Sequence, residues 1–253
     1  MGCMMQSLFQ AFLALILAFV PQAVMADSYG PLAGAEWGRG SAATVVILHG
    51  DVSGGNGNAP ARYHYDLAKR IAGDNRNAKV IALLRPGYFD GRGRQSPGNN
   101  YKRWDQYTKR NNDMVAAALK AIKAARGGAE LIVVGHSGGA AQLGAVIGRY
   151  PGIVDTAILM SCPCHLRSWR QGRRQMKRSQ SPHRYVGRVK STRIVALTGQ
   201  ADKNTKPALA KDYVARARKA GLSADLIIVP GAGHADGKLY GALYRAVRAE
   251  VRN

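Results

Sequence analysis

The sequence predicts an α/β protein: a mostly parallel, doubly wound sheet of about six strands. Three observations carry that expectation. Short aliphatic runs rich in Val, Ile and Leu recur at residues 44–48, 79–84, 131–134, 154–160, 194–197 and 225–229, the pattern of strands buried on both faces. Segments of helical length and spacing lie between most of them. Turn-forming Gly, Pro and Asp cluster just after the runs end.

Taken in order, residues 27–43 are Gly-rich and aperiodic, and are expected as a surface arm. The first strand, 44–48, stops at His49-Gly50-Asp51, and a loop rich in Gly and Asn covers 52–59. A helix is expected over 60–72, with Pro60 suited to its first turn. The strand at 79–84 ends in Arg85-Pro86-Gly87-Tyr88 and leads into a polar loop, 89–101. A long helix is expected over 104–125, with Met114, Ala118, Leu119 and Ile122 on one side and Gly127-Gly128 as its stop. After the strand at 131–134 comes a sharp turn, Gly135-His136-Ser137-Gly138-Gly139, and a small apolar helix over 138–149, closed by Pro151. The strand at 154–160 leads to Ser161-Cys162-Pro163-Cys164. Residues 163–190 then carry dense Arg and Lys with few aliphatics, which reads as a basic, lid-like insert above the sheet's C-terminal edge, outside the core. The strand at 194–197, a helix over 207–220, the strand at 225–229 and a helix over 238–251 complete the chain.

Composition sets the class. A chain of 253 residues suffices for one domain with a full core. Residues 1–26 read as a signal peptide: an apolar run over 8–20, a break at Pro21, and small residues at Val24-Met25-Ala26. The expected location is therefore secreted or periplasmic, with residues 27–253 as the folded domain. Removal of Cys3 with that leader leaves Cys162 and Cys164, an even number in an oxidising compartment, with a disulfide across Pro163 left open. Two Cys with one spacer are too few for a closed zinc site. His-Glu-x-x-His, phosphate-loop and dinucleotide motifs are absent, so no metal or organic cofactor is implied. The net charge of +22 suits anionic partners, such as an anionic membrane face or an acidic substrate. Low aromatic content and the lack of a nucleic-acid motif argue against nucleic acid.

The strand–turn–helix around Ser137 is the sharpest local signal. A serine at the apex of such a turn is strained, and Gly135 and Gly139 supply the small neighbours it needs. Its hydroxyl is set at a helix N-terminus, where developing negative charge is favoured. Gly-x-Ser-x-Gly between a strand and a helix reads as a nucleophile. Asp202 and His234 also sit just past strand ends, and loops after strand C-termini gather on one edge of such a sheet. Asp155 and Asp236 are rival carboxylates, but neither follows a strand end.

With Ser, Asp and His in that chain order, the sequence resembles the α/β-hydrolases over nearly all of residues 27–253. The matching residues are His49-Gly50, the Gly135–Gly139 elbow, Gly199-Gln200-Ala201-Asp202 and Gly231-Ala232-Gly233-His234, with Arg85-Pro86-Gly87-Tyr88 in support. The resemblance implies a serine hydrolase that cleaves an ester through an acyl-enzyme. Ser137 would be the nucleophile, His234 the base, and Asp202 the acid that holds the imidazole. The oxyanion hole would fall at the backbone of Gly138 and Asp51. Asp51 departs from the apolar or glycine residue common there, and its carboxylate must turn away from a developing anion. The implied substrate is a small-molecule or lipid ester, with an anionic one matched by the basic insert. Peptide or thioester cleavage, and polyanion binding on the same scaffold without turnover, are the alternatives.

Overall fold

The computed structural model of the protein describes residues 28–52 and 59–252. The leader expected at 1–26 lies outside these residues, as does most of the loop expected at 52–59.

Eight strands form one sheet: β1 (Ser28–Tyr29), β2 (Leu32–Trp37), β3 (Ala43–Leu48), β4 (Ala78–Leu83), β5 (Glu130–His136), β6 (Thr156–Met160), β7 (Arg193–Gly199) and β8 (Ala224–Val229). Their spatial order is β1-β2-β4-β3-β5-β6-β7-β8. From β4 to β8 all pairings are parallel, while β1 and β2 run antiparallel at one edge. The chain winds from β3 out to β4, then returns to the other side of β3 with β5. That reversal places the C-terminal ends of β3 and β5 side by side at a topological switch point, where open α/β sheets form crevices.

Among the described residues there are six α-helices: α1 (Tyr63–Asp74), α2 (Lys109–Ala125), α3 (Gly138–Arg149), α4 (Leu166–Trp169), α5 (Pro207–Lys219) and α6 (Gly237–Arg252). Alternation along the strands divides the interior into two cores. Val46, Leu48, Leu131 and Val133 face one way, against Leu119 of α2, Leu143 of α3 and Tyr213 of α5. Val45, Ile47, Ile132 and Val134 face the other, against Leu67 and Ile71 of α1 and Leu239 and Leu243 of α6.

Three sequence expectations need correction. The arm at 27–43 instead holds β1 and β2, and Leu32, Ala33 and Ala35 are buried. No β-branched residue marks this strand. It forms because small residues dock closely on β4: a Cβ on Gly34 would lie 2.6 Å from the Ala82 carbonyl. The long helix starts at Lys109, not at 104. Thr108 caps it by accepting from the Asn111 N–H, and Tyr101, Lys102, Arg103 and Asp105 hold positive φ before it. The basic segment is also not wholly outside the core. Val186 and Val189 join the α3–α5 side, while Leu166 packs with Tyr107 and Ala141. Its chain lies directly on α3 because Gly144 and Gly148 have no side chains there. A Cβ on Gly144 would come within 2.9 Å of the Pro182 ring.

Candidate active site

Ser137 caps α3 at φ 51°, in the left-handed region, one residue past β5. Its amide is held by the Met160 carbonyl at 2.8 Å. The flanking glycines are required by space. A Cβ on Gly135 would lie 2.7 Å from the Ala140 backbone, and one on Gly139 would collide with the end of β3. The strained serine thus sits in a turn that larger neighbours would open.

Asp202 follows β7 and His234 follows β8. The structure brings both to Ser137: His234 Nε2 lies 3.0 Å from Ser137 Oγ, and His234 Nδ1 lies 2.9 Å from Asp202 Oδ2. Asp202 is buried, and its other oxygen accepts from the Asn204 and Thr205 amides at 2.8 and 2.9 Å. Burial raises its pKa, but hydrogen bonds from His234 and Thr205 outweigh that and hold the carboxyl below the usual range. An ionised Asp202 takes the Nδ1 proton as a hydrogen bond, which leaves Nε2 free to accept from the serine hydroxyl. The rival carboxylates are employed elsewhere: Asp155 pairs with Lys123 and Arg126, and Asp236 accepts from the amide of Leu239.

The two residues expected at an oxyanion hole lie beside the serine. The Gly138 N–H is the first of α3, and a helix leaves its first amides without intrahelical partners. Asp51 follows β3, and the neighbouring Gly50 packs so closely that a Cβ there would sit 3.2 Å from Ser137 Cβ. The Asp51 carboxylate does not turn away from Gly138, where an added Cβ would collide with Oδ1; it is instead paired. It accepts from Arg85 Nη2 at 2.5 Å and from the Tyr107 hydroxyl at 2.6 Å. Arg85 is fully buried and also reaches Gln142 and the Tyr88 hydroxyl. Burial disfavours its charge, but Tyr88 and Asp51 more than compensate, so the guanidinium stays protonated.

Sequence reasoning missed a second chain of contacts. The Gly50 N–H donates to the Tyr63 hydroxyl (2.5 Å), that hydroxyl donates to His136 Nδ1 (2.6 Å), and His136 Nε2 donates to the His234 carbonyl (3.3 Å). The Ser161 hydroxyl donates to the same carbonyl at 2.9 Å. The residue in the variable slot of the elbow therefore ties the loop after β3 to the loop carrying His234. Gly50, Val52, Tyr63, Ser137, His234 and Tyr240 line the resulting cleft of about 330 Å³. No group of His, Cys, Asp and Glu among the described residues is arranged to hold a metal ion. Cys162 and Cys164, at the end of β6, are joined in a disulfide.

Solved structures share this architecture. Esterase PE8 is 16% identical with a TM-score of 0.63, over 86% of this chain and 98% of that one. The chain has the α/β-hydrolase fold. A monoacylglycerol lipase from Paleococcus ferrophilus is also 16% identical, with a TM-score of 0.62 over 87% of this chain and 98% of that one. The acylaminoacyl peptidase of Pyrococcus horikoshii is 11% identical at a TM-score of 0.65, over 87% of this chain but only 39% of that one. No sequence-family model matches the chain, and no curated protein matches it in sequence. On this hydrolase fold, Ser137, Asp202 and His234 occupy the ends of β5, β7 and β8.

Buried neutral histidines give the site a pH signature. Burial, then the nearby His234, pushes His136 down to about 4, burial takes His64 to about 3, and His49 is held well below its usual value by burial and His64. In an unfolded chain each titrates near 6.5. Their folded values are depressed, so the stability they preserve is complete above the unfolded value and lost as pH falls from about 6.5 through about 4. The stacked pair His165 and His183, both lowered by burial, adds to this window. Asp113, Asp155 and Asp202, all held low, contribute only below about pH 4. The urea midpoint is therefore expected to fall steadily from pH 7 to pH 4, with more than one proton taken up on unfolding. A midpoint flat across that range would contradict it.

Proposed function

We propose that the protein is a serine hydrolase that cleaves carboxylic esters through an acyl-enzyme. The observation that carries this reading is the hydrogen-bonded series Ser137–His234–Asp202, drawn from three separate strand ends. In the proposed reaction Ser137 Oγ adds to the ester carbonyl while His234 Nε2 takes its proton. Asp202 holds the imidazole in the required tautomer and stabilises the imidazolium. The amides of Asp51 and Gly138 receive the developing oxyanion, each worth about 3–4 kcal/mol of barrier. His234 then protonates the leaving alcohol, and water, deprotonated by the same imidazole, releases the acid.

Ester cleavage is favoured over amide cleavage as the less demanding acyl transfer. The acylaminoacyl peptidase among the similar structures is matched over only 39% of its length. A fluorophosphonate should label the protein at Ser137; wild-type protein left unlabelled would overturn the proposal. The apolar run at 8–20 and the Cys162–Cys164 disulfide both support export to an oxidising compartment, which cell fractionation would test.

The relay through Tyr63 gives a sharper test of positioning. Tyr63→Phe leaves the Gly50 amide and His136 Nδ1 without their partner in a buried setting. Stability is expected to fall by about 1–3 kcal/mol in urea denaturation. Turnover of p-nitrophenyl butyrate should fall through kcat more than KM, because the change misplaces two catalytic loops rather than the bound ester. Equal kcat in the two proteins would remove the relay from the mechanism.

A further inference from the structure

The segment between β6 and β7 carries charge that the fold does not use. Residues 165–190 hold nine Lys and Arg and no Asp or Glu. Among the described residues none of the nine enters an ion pair. Several are instead ordered by stacking. Arg174 lies 5.4 Å from the Trp104 ring centre, and Arg170 lies 5.8 Å from that ring and 5.5 Å from the Trp169 ring. Arg173 lies 5.2 Å from Trp169. The result is an alternating row, Arg174–Trp104–Arg170–Trp169–Arg173; its members Arg174, Trp104 and Arg170 line a cavity of about 470 Å³ together with Lys177 and Arg178. Asp105, the acid at this cavity, is occupied: its two oxygens accept from the Arg178 and Ser179 amides, both at 2.7 Å.

Stacking and single backbone contacts, Arg170 Nε to the Arg174 carbonyl and Arg173 Nη2 to the Trp169 carbonyl, keep the guanidinium planes fixed, and the remaining N–H groups can grip carboxylate or phosphate. Partial burial, then the charge of Arg173, lowers the Arg170 pKa, so an anion placed between them would relieve repulsion. The row also reaches the candidate site through Trp169. Trp169 Nε1 donates to the Asn204 carbonyl at 3.1 Å, and Asn204 Nδ2 lies 3.2 Å from His234 Nε2. That nitrogen is the one that would protonate the leaving oxygen.

We propose that this arginine–tryptophan row is a leaving-group subsite, and that the alcohol portion of the substrate carries a carboxylate or phosphate. The proposal rests on the ester-hydrolase reading above and adds the substrate's charge and the side on which it binds.

Three acetyl esters test it: methyl 4-acetoxybenzoate, which is neutral, 4-acetoxybenzoate, and 4-acetoxyphenyl phosphate. The readout is kcat/KM for each anionic ester divided by that for the neutral one. This ratio is expected to drop about tenfold from wild type to Arg170→Gln/Arg173→Gln, through KM, and to drop in wild type as salt is raised. Arg174→Gln, at the far end of the row, should give a smaller drop. Whichever anionic ester responds more identifies the group recognised. Lys211→Gln/Lys219→Gln removes the same charge from the exposed face of α5 and should keep the wild-type ratio. A ratio unchanged in the arginine variants, or reduced equally by the lysine pair, overturns the proposal. If no ester is turned over at all, the hydrolase reading fails separately. Calorimetric titration of Ser137→Ala protein with 4-acetoxybenzoate and its methyl ester then decides the subsite. Tighter binding of the acid, lost on adding Arg170→Gln/Arg173→Gln, supports it; equal binding of the two overturns it.

Discussion

Ser137→Ala is expected to lower kcat for p-nitrophenyl butyrate by about a million-fold, leaving a residual of roughly a thousand-fold over the uncatalysed rate from the oxyanion donors and binding. The physical basis is that in the proposed reaction Ser137, His234 and Asp202, joined at 3.0 and 2.9 Å, act through one proton hand-off. His234→Ala should therefore cost about as much as Ser137→Ala. The double variant should be no worse than either single one, since a broken relay cannot be broken twice. Asp202→Ala should cost less, about ten-thousand-fold, because a misoriented imidazole still accepts a proton part of the time. Activity of Ser137→Ala within tenfold of wild type would remove the nucleophile from the scheme. Losses that multiply in the double variant would show that the three groups do not work as a unit.

Removing Arg85 should be the most damaging single change to stability near the site. Its guanidinium is 1% exposed and holds the Asp51 carboxylate at 2.5 Å. Arg85→Met leaves that carboxylate with Tyr107 as its remaining side-chain partner in a site only 13% exposed. Breaking one side of a buried pair costs about 3–5 kcal/mol, most of it the uncompensated charge left behind. Replacing both partners, as in Arg85→Met/Asp51→Leu, should recover much of that loss, because apolar groups need no counter-charge. Catalysis should not recover with it, since the Asp51 amide would lose the anchors that aim it. Chemical denaturation of the two single variants and the double one, with kcat measured on each, separates these effects. An Arg85→Met protein within 1 kcal/mol of wild type would show that water reaches the pair and that the network is not a structural support.

How much of this was legible beforehand follows from the range of the interactions involved. The elbow could be read because its chemistry is local: Gly135, Ser137 and Gly139 meet a backbone constraint within five residues. Central strands were equally legible, because burial on both faces demands continuous aliphatics, as at Val45–Leu48 and Leu131–Val134. β2 was not, since Leu32, Ala33, Gly34 and Ala35 carry no strand preference and are ordered only by docking on β4. Tyr63, Tyr107 and Asn204 were invisible for a different reason. Each serves the site through long-range contacts, Tyr63 to Gly50 and His136, Tyr107 to Asp51, and Asn204 to His234, and nothing in its neighbourhood of the chain marks it. Asp51 stood out as misplaced, and the reason lay 34 positions away, in a buried arginine.

One further consequence concerns β8, the last strand of the sheet among the described residues. Its outer edge offers unpaired peptide groups, and Ile227 on it is 36% exposed. Asp225, held by Arg193 at 2.7 Å and Arg218 at 3.8 Å, is the acid on this strand. Mutual repulsion between chains of net charge +22 opposes the pairing of two such borders. Dilute buffer should therefore keep the molecules dispersed, while added electrolyte, by shortening the reach of that repulsion, invites self-association along this rim.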